Sequence, residues 1–273
     1  MKKLVSVILT VYNEEKLLAE SLNSLIAQTY RPLEIIVVDD GSSDSSRSIA
    51  QEFNVKVVAQ KHLGLGMSRN RGANEANGEI VVFCDADLLY DTDYLSNLVK
   101  PILENMAVGT FHKDEMVKND QNYWSRCWQI NDHLPYDRKI RKDIGDESTY
   151  FRAIKRKVFL GVGGFDDTGY LDDRTLYQKL GEKSLGVSEA VCWHYNPESF
   201  WEVLEEAKWH GRSLARENTI QAILQYCLLN TIRRIILDTR YSKKYLYFFF
   251  KFVYDLGINL GILDYLLRGR LSK

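Results

Sequence analysis

Up to Glu104 the chain alternates between two hydrophobic periods. Val5–Val11 (VSVILTV) is an unbroken apolar, β-branched run, the pattern of a parallel strand covered on both faces. Glu15–Gln28 then places Leu17, Leu18, Leu22, Leu25 and Ile26 on one helical stripe. The same alternation predicts strands at Leu33–Val38, Val55–Ala59 and Ile80–Cys84, and helices at Ser43–Phe53, Met67–Ala76 and Asp93–Glu104. Strand–helix–strand repetition implies right-handed crossovers. The expected fold class is therefore α/β, Rossmann-like, with a mostly parallel sheet flanked by helices.

The later pattern is less regular. Lys113–Asp146 is polar, carries Trp124, Trp128 and His133, and reads as a long excursion over the active face. Val162–Asp167 reads as a turn, and Tyr170–Leu180 as the approach to a helix that begins at the paired acids Asp172 and Asp173. Gly186–Trp193 is a last strand ending in His194. Ser199 and Glu202 form a capping-box pattern ahead of a helix from Trp201 to about Arg216. The division expected from these elements is an α/β domain over 1–216 and a helical appendage over 217–273.

Ligands of such sheets sit at the carboxyl ends of the strands. Those ends are polar here: Tyr12-Asn13-Glu14 after the first strand, Asp39-Asp40-Gly41 after the second and Asp85-Ala86-Asp87 after the fourth. Gathering so many carboxylates on one rim is costly without a cation. Side chains two apart in extended chain share a direction, so Asp85 and Asp87 could face one hard divalent ion, Mn²⁺ or Mg²⁺. An acidic turn is the competing reading of an isolated Asp-x-Asp.

The ordered set of motifs is more specific than any one of them. Ser6–Glu14 (SVILTVYNE), Ile36–Asp44 (IVVDDGSSD), Ser68–Gly72 (SRNRG), Asp85-Ala86-Asp87, and later Gly163–Asp167 (GGFDD) with Asp172-Asp173, resemble the inverting family 2 glycosyltransferases of GT-A fold. The resemblance covers about Lys3 to Arg216. It implies that Thr10, Tyr12 and Glu14 form the first nucleotide-binding loop and that Asp39 or Asp40 holds the base, Asp40 being slightly favoured. It implies that Arg69 lies near base and diphosphate. Asp85 would lie toward sugar and ribose, with Ala86 between it and Asp87 at the metal and diphosphate. Asp173 would be the catalytic base, with Asp172 beside it. The family usually has Glu-Asp at that point, so this chain departs slightly. A histidine like His194 supplies a further metal ligand in some GT-A enzymes; hydrogen bonding in a purely structural role is the alternative.

The residues argue independently for Asp173. Displacement at an anomeric carbon needs a base opposite the departing diphosphate. An ordinary Asp, with a pKa of about 3.9, is a weak one. A neighbouring acid and partial burial both raise it. The bland alternative is that the two acids open a helix, where negative charge suits the dipole.

Composition narrows the classes. The 273 residues hold 36 Lys plus Arg against 37 Asp plus Glu, a formal charge of −1, which argues against nucleic acid as a partner. Cys84, Cys127, Cys192 and Cys227 lack metal-finger spacing and read as reduced core residues. With no signal-peptide pattern and no obvious transmembrane run, the expected location is the cytoplasm or the cytoplasmic face of a membrane.

The charge is unevenly spread: Leu228–Lys273 holds nine basic residues against three Asp, a net of +6, and the rest carries −7. Within that tail, Tyr245–Leu263 has Lys251, Asp255 and Asn259 four apart, on one narrow helical stripe beside a broad apolar face. Arg233, Arg234, Arg240, Lys243 and Lys244 precede it, and Arg268, Arg270 and Lys273 follow. That pattern predicts an interfacial helix on an anionic leaflet. Packing on the catalytic domain or a homodimer contact are the competing readings.

The function these readings predict is metal-dependent, inverting transfer of a single sugar. The donor is a UDP- or GDP-linked sugar, and the acceptor is a glycan or a lipid (polyprenyl)-linked species. The missing Q-x-x-R-W motif and channel helices argue against a processive synthase. A nucleotidyltransferase and a non-catalytic nucleotide-sugar-binding module are the alternatives. The first would need a glycine-rich basic loop where Tyr12-Asn13-Glu14-Glu15 stands.

Overall fold

The strand β1 (Val5–Val11) is buried along its whole length, and its side chains alternate between two cores. Val5, Val7, Leu9 and Val11 face one core, with Leu18, Leu22 and Leu25 of α1 (Leu18–Ile26) and Leu95, Leu98 and Val99 of α4 (Tyr94–Leu103). Ile8 faces the other, with Ala73 of α3 (Leu65–Glu75), Val38 and Phe83. Both faces being covered explains why the run is apolar at every position. The computed structural model describes residues 3–141, 143–166, 172–226, 230, 232–233, 236–237 and 247–268, without the side chains of Asp172 and Asp173. Asp167, Tyr170, Cys227, Arg234, Arg240, Lys243, Lys244, Arg270 and Lys273 lie outside the described residues.

The remaining elements up to His194 are β2 (Leu33–Asp39), α2 (Ser46–Gln51), β3 (Lys56–Ala59), β4 (Ile80–Asp85), β5 (Leu88–Tyr90), β6 (Gly109–Val117), α5 (Tyr123–Asn131), β7 (Glu147–Ser148), β8 (Ala153–Lys155), α6 (Arg156–Gly161), α7 (Asp172–Leu180) and β9 (Ser184–His194). Among the described residues they form one nine-stranded sheet of order β3-β2-β1-β4-β8-β6-β9-β5, with β7 pairing β9. The strands β3, β2, β1 and β4 are parallel. Antiparallel pairing takes over at β4–β8 and continues through β6–β8, β5–β9 and β7–β9. The alternating pattern predicts the parallel half. It misses β5, β7 and β8, which at two or three residues are too short to show a period, β6, which runs into the predicted excursion, and α5 inside it.

A buried-edge carboxylate ties the first motif to the fourth strand. Glu34 on β2 accepts hydrogen bonds from the backbone N–H groups of Asn77 (2.6 Å) and Gly78 (3.1 Å) and from the Ser6 hydroxyl. Burial pushes its carboxyl up, but these bonds outweigh burial and hold it below the usual carboxylate value.

The chain divides into two compact units, Met1–Met116 with Lys142–His194, and Val117–Arg141 with Tyr195–Lys273. The second unit is helical: α5, α8 (Phe200–Tyr226) and α9 (Tyr247–Arg268). Ser199 Oγ accepts from the Glu202 N–H (3.3 Å), as the capping pattern predicts. The α8 helix breaks at Asn218 (φ −157°, ψ 94°), two residues past the predicted end at Arg216. There Asn218 Oδ1 accepts from Gln221 N–H (3.0 Å) and caps the next segment.

The helices α8 and α9 meet backbone to backbone. A Cβ on Gly211 would run into the Ile258 carbonyl, and one on Gly261 into the Lys208 carbonyl. Because the obstacles are backbone, no side chain could move aside. Of the predicted polar stripe of α9, Lys251 and Asp255 turn inward and Asn259 stays exposed. Lys251 is 4% exposed and Asp255 1%; they pair at 3.0 Å, and Lys251 donates to Asn131 Oδ1 at 2.8 Å. Tyr247, Phe250, Tyr254, Ile258 and Ile262 are buried with them, while Phe248, Phe249, Phe252, Leu256, Leu260 and Leu263 face outward.

The folded-state carboxyl of Glu34 lies below its unfolded value, so it adds stability above that value and loses it as pH falls. E34Q should lower stability near neutral pH and flatten the decline on acidification below about pH 4.5. Urea melts of both chains from pH 7 to pH 3 check this; parallel pH curves would refute it.

Candidate functional site

The parallel strands deliver their carboxyl ends to one rim, as the sequence predicts, and the loops there are laced together. Asn13 is held at φ 56°, with its Oδ1 accepting from Ser43 N–H (2.8 Å) and its own N–H donating to Ser42 Oγ (3.0 Å). Glu14 N–H donates to Ser46 Oγ (2.7 Å). Thr10, 8% exposed, sits in register with Asp85 on β4. These bonds fix the first loop against the second before any ligand arrives.

The two acids of the second loop have different occupations. Both oxygens of Asp40 are taken by the segment after β3: Leu63 N–H and Gln60 Nε2 donate to Oδ1 (2.9 and 2.7 Å), and Gly64 N–H to Oδ2 (2.9 Å). His62 Nδ1 stands 2.8 Å from Asp40 Oδ2, and its ring stacks on Tyr12 at 4.0 Å. Asp39 Oδ1 accepts from Ser42 N–H (3.0 Å), and among the described residues its other oxygen has no hydrogen bond. Asp39 is thus the acid of the pair that keeps an unused acceptor.

Arg69, on α3 and 3% exposed, donates to Asp85 Oδ1 at 3.0 Å. Arg152, just before β8, donates to Asp85 Oδ2 at 2.6 Å. Burial alone would raise the Asp85 carboxyl; the two guanidinium groups overcome it and hold the acid far below the usual range. The chain turns at Ala86–Asp87 rather than continuing extended, so Asp85 and Asp87 have different neighbours. Ala86 is buried in the core.

Asp87 belongs with His194. The register of β5 with β9 sets His194 opposite Leu88, one residue from Asp87. His194 Nε2 lies 3.7 Å from Asp87 Oδ2, and Nδ1 lies 3.1 Å from Glu115 Oε1 on β6. Glu115 Oε2 in turn meets His112 Nε2 at 3.0 Å, and His112 Nδ1 meets the Tyr94 hydroxyl at 2.9 Å. Burial would raise the Glu115 carboxyl, but hydrogen bonds from His112 and His194 keep it well below the usual value. A hard divalent ion with oxygen at about 2.1 Å spaces neighbouring ligands about 3 Å apart, so a 3.7 Å gap between a carboxylate oxygen and an imidazole nitrogen suits one. His112, Glu115 and Cys192 also cluster closely enough to suggest a metal. The Glu115 oxygens and His112 Nε2 of that cluster are already engaged with one another and with His194.

The GGFDD turn reaches the same rim. Asn70 Nδ2 donates to the Phe165 carbonyl (2.8 Å) and Asn70 Oδ1 accepts from Phe165 N–H (2.9 Å). Gly164 has φ 68°, and a Cβ there would strike the Asn70 amide, so both conformation and space demand glycine. The turn continues toward α7 through Asp166 N–H, which donates to Thr175 Oγ1 (3.0 Å), and Lys179 Nζ, which donates to the Gly164 carbonyl (2.8 Å). Asp172 and Asp173 are the first two residues of α7.

Sequence reasoning missed Arg152, Glu115, His112, His62 and Gln60. The last two follow the third strand, and scanning that strand's carboxyl end like the others would have found them. Arg152 precedes a three-residue antiparallel strand, and no motif marks it.

A mixed sheet flanked by helices, parallel in its first half and antiparallel in its second, is the GT-A arrangement. The chain belongs to the family described as "Glycosyl transferase family 2", whose model matches residues 6–162. It is 29% identical over 209 residues to the glycosyltransferase GlyA of Streptococcus pneumoniae, covering 68% of this chain and 30% of that one. It is 27% identical over 241 residues to the glucosyl-dolichyl phosphate glucuronosyltransferase of Haloferax volcanii, covering 77% of this chain and 75% of that one. The chain spans 29% to 37% of the length of the first curated relatives it matches. In fold it is similar to the mannosyltransferase PcManGT of Pyrobaculum calidifontis, solved with GDP-Man and Mn²⁺. That match has a TM-score of 0.62 at 20% identity and covers 99% of this chain and 89% of that one.

Proposed function

We propose that the chain is a metal-dependent, inverting glycosyltransferase that moves one sugar from a nucleoside-diphosphate sugar to a glycan or polyprenyl-linked acceptor. The observation that carries this is the pairing of two separate carboxylates at one rim: Asp85 saturated by Arg69 and Arg152, and Asp87 paired with His194. The family membership and the Mn²⁺ and GDP-Man bound by the mannosyltransferase neighbour support it.

Asp39, with an acceptor oxygen to spare, is the residue to take the N–H of a nucleobase, and Tyr12 with His62 offers aromatic surface beside it. Arg69 and Arg152, fixed by Asp85, put positive charge where a diphosphate would develop its negative charge. Asp87 and His194 would hold Mn²⁺ or Mg²⁺, which when bound supplies charge stabilisation for the departing diphosphate. Asp85, with both oxygens engaged, orients the arginines. Asp173 is the base that takes the acceptor hydroxyl proton; its position at the start of α7, which the GGFDD turn anchors, supports that role.

A lipid-linked acceptor fits a further feature. The outward apolar row of α9, Phe248 to Leu263, is bare of charge, and the sequence around it is basic. A row of this kind suits the headgroup boundary of an anionic leaflet. No described helix is long and apolar enough to cross a membrane.

Three measurements test these statements. With Mn²⁺ present, a UDP- or GDP-sugar at one hundred times its Kd should raise the melting temperature by about 5 °C or more, since such binding contributes about 2.7 kcal/mol. D87A should lose the metal-dependent part of that shift; no metal-dependent shift in the wild type would remove the metal from the proposal. D173N should cut turnover about 100-fold or more while the donor-induced shift persists, and wild-type turnover would sink the base assignment. The double variant F248Q/F252Q should float less with anionic vesicles than the wild type; equal flotation would remove membrane contact.

A further inference from the structure

Beyond Asp87 and His194, the rim contains a buried chain of three polar side chains that the donor does not explain. Glu115 is 7% exposed and His112 3%, and Tyr94 is fully buried. A carboxylate buried to that degree is costly unless its oxygens are satisfied. Here each oxygen meets one imidazole nitrogen: His112 Nε2 at 3.0 Å and His194 Nδ1 at 3.1 Å.

The hydrogen-bond polarity of this chain follows from taking Glu115 as a carboxylate. An ionised carboxylate only accepts, so His112 Nε2 and His194 Nδ1 must both carry protons. A neutral His112 then presents a lone pair at Nδ1, where the Tyr94 hydroxyl donates at 2.9 Å. A neutral His194 likewise presents its lone pair at Nε2. That nitrogen points to Asp87 across 3.7 Å, too far for a hydrogen bond and the right order for two ligands of one ion.

We infer that Glu115 and His112 are positioning residues for the cation site. Glu115 selects the Nδ1–H tautomer of His194 and turns Nε2 toward Asp87, while His112, steadied by Tyr94, occupies the second carboxylate oxygen. The inference rests on the proposed cation at Asp87 and His194. It adds that the ligand's basicity and orientation are set from β6, two residues of which, His112 and Glu115, carry the device. Partners of this kind behind a ligating histidine change metal affinity when removed, without touching the metal themselves.

The test follows Mn²⁺ binding by the electron paramagnetic resonance of the free ion, and the His194 tautomer by long-range ¹H–¹⁵N spectra of the metal-free chain. In the wild type His194 should be the Nδ1–H form. E115Q should lose that preference and bind Mn²⁺ about 10- to 100-fold more weakly. In the H194A background the same change should cost nothing further, because Glu115 acts through His194. Should E115Q fail to fold, E115D keeps the charge on a shorter arm and should bind Mn²⁺ with intermediate affinity. Unchanged Mn²⁺ affinity in whichever variant folds, or an equal additional loss in H194A, overturns the inference. No Mn²⁺ binding by the wild type overturns the cation reading beneath it instead.

Discussion

The clamp on Asp85 is the constraint around which the first unit is arranged. Its two arginines come from different constructions: Arg69 from a helix that crosses over between parallel strands, Arg152 from the start of the antiparallel half. An aspartate at the end of β4 can hold both only if α3 lies close on one side and β8 pairs with β4 on the other. The close approach of α3 is secured by Gly72, where a Cβ would overlap Ile8 on β1. The rim charges are therefore built into the sheet packing rather than added on a loop. Removing one arginine would leave a part-buried carboxylate half-compensated, a larger disturbance than losing one surface ion pair.

The same arrangement explains what could be read from the residues alone. The runs Val5–Val11, Leu33–Val38 and Ile80–Cys84 were legible because a doubly covered strand must be apolar throughout. The rim motifs were legible because parallel strands leave their ligands at a known end. The antiparallel half was not. Its strands β7 and β8 owe their existence to pairing with longer neighbours, and that information is not local. Arg152, Glu115 and His112 lie in that half, so the most informative partners of Asp85 and His194 were hidden with it. Within the second loop the motif slightly favours Asp40 over Asp39, but the bonds that occupy Asp40 come from Gln60 to Gly64, twenty or more residues away.

The α9 helix shows the limit of periodicity in another way. Spacing of four identified Lys251, Asp255 and Asn259 as one stripe, and the stripe is real. Which side it faces depends on whether the charges find partners. Lys251 and Asp255 satisfy each other, and Asn131 on α5 accepts from the ammonium; Asn259 donates to the Tyr226 carbonyl at 3.1 Å. A buried pair is tolerable only with such company. The glycines make it possible: Gly257 and Gly261 bring α9 against α8 without side chains between, so a polar stripe can be enclosed by aromatic rings on either side.

That inversion carries a consequence for the outward face. Burying polar residues while leaving Phe248, Phe249, Phe252, Leu256, Leu260 and Leu263 in contact with solvent is unfavourable for an isolated helix pair, at about 25 cal/mol for each Å² of apolar surface kept wet. The alternative register, with the polar stripe outward, would bury those rings instead. The glycines preclude it, since only the face bearing Gly257 and Gly261 can approach α8 so closely, and that face carries Lys251 and Asp255 with it. The exposed apolar row is thus the geometric counterpart of the close helix contact. An apolar row held in place by backbone packing is pre-organised, because no helix has to form or turn to present it.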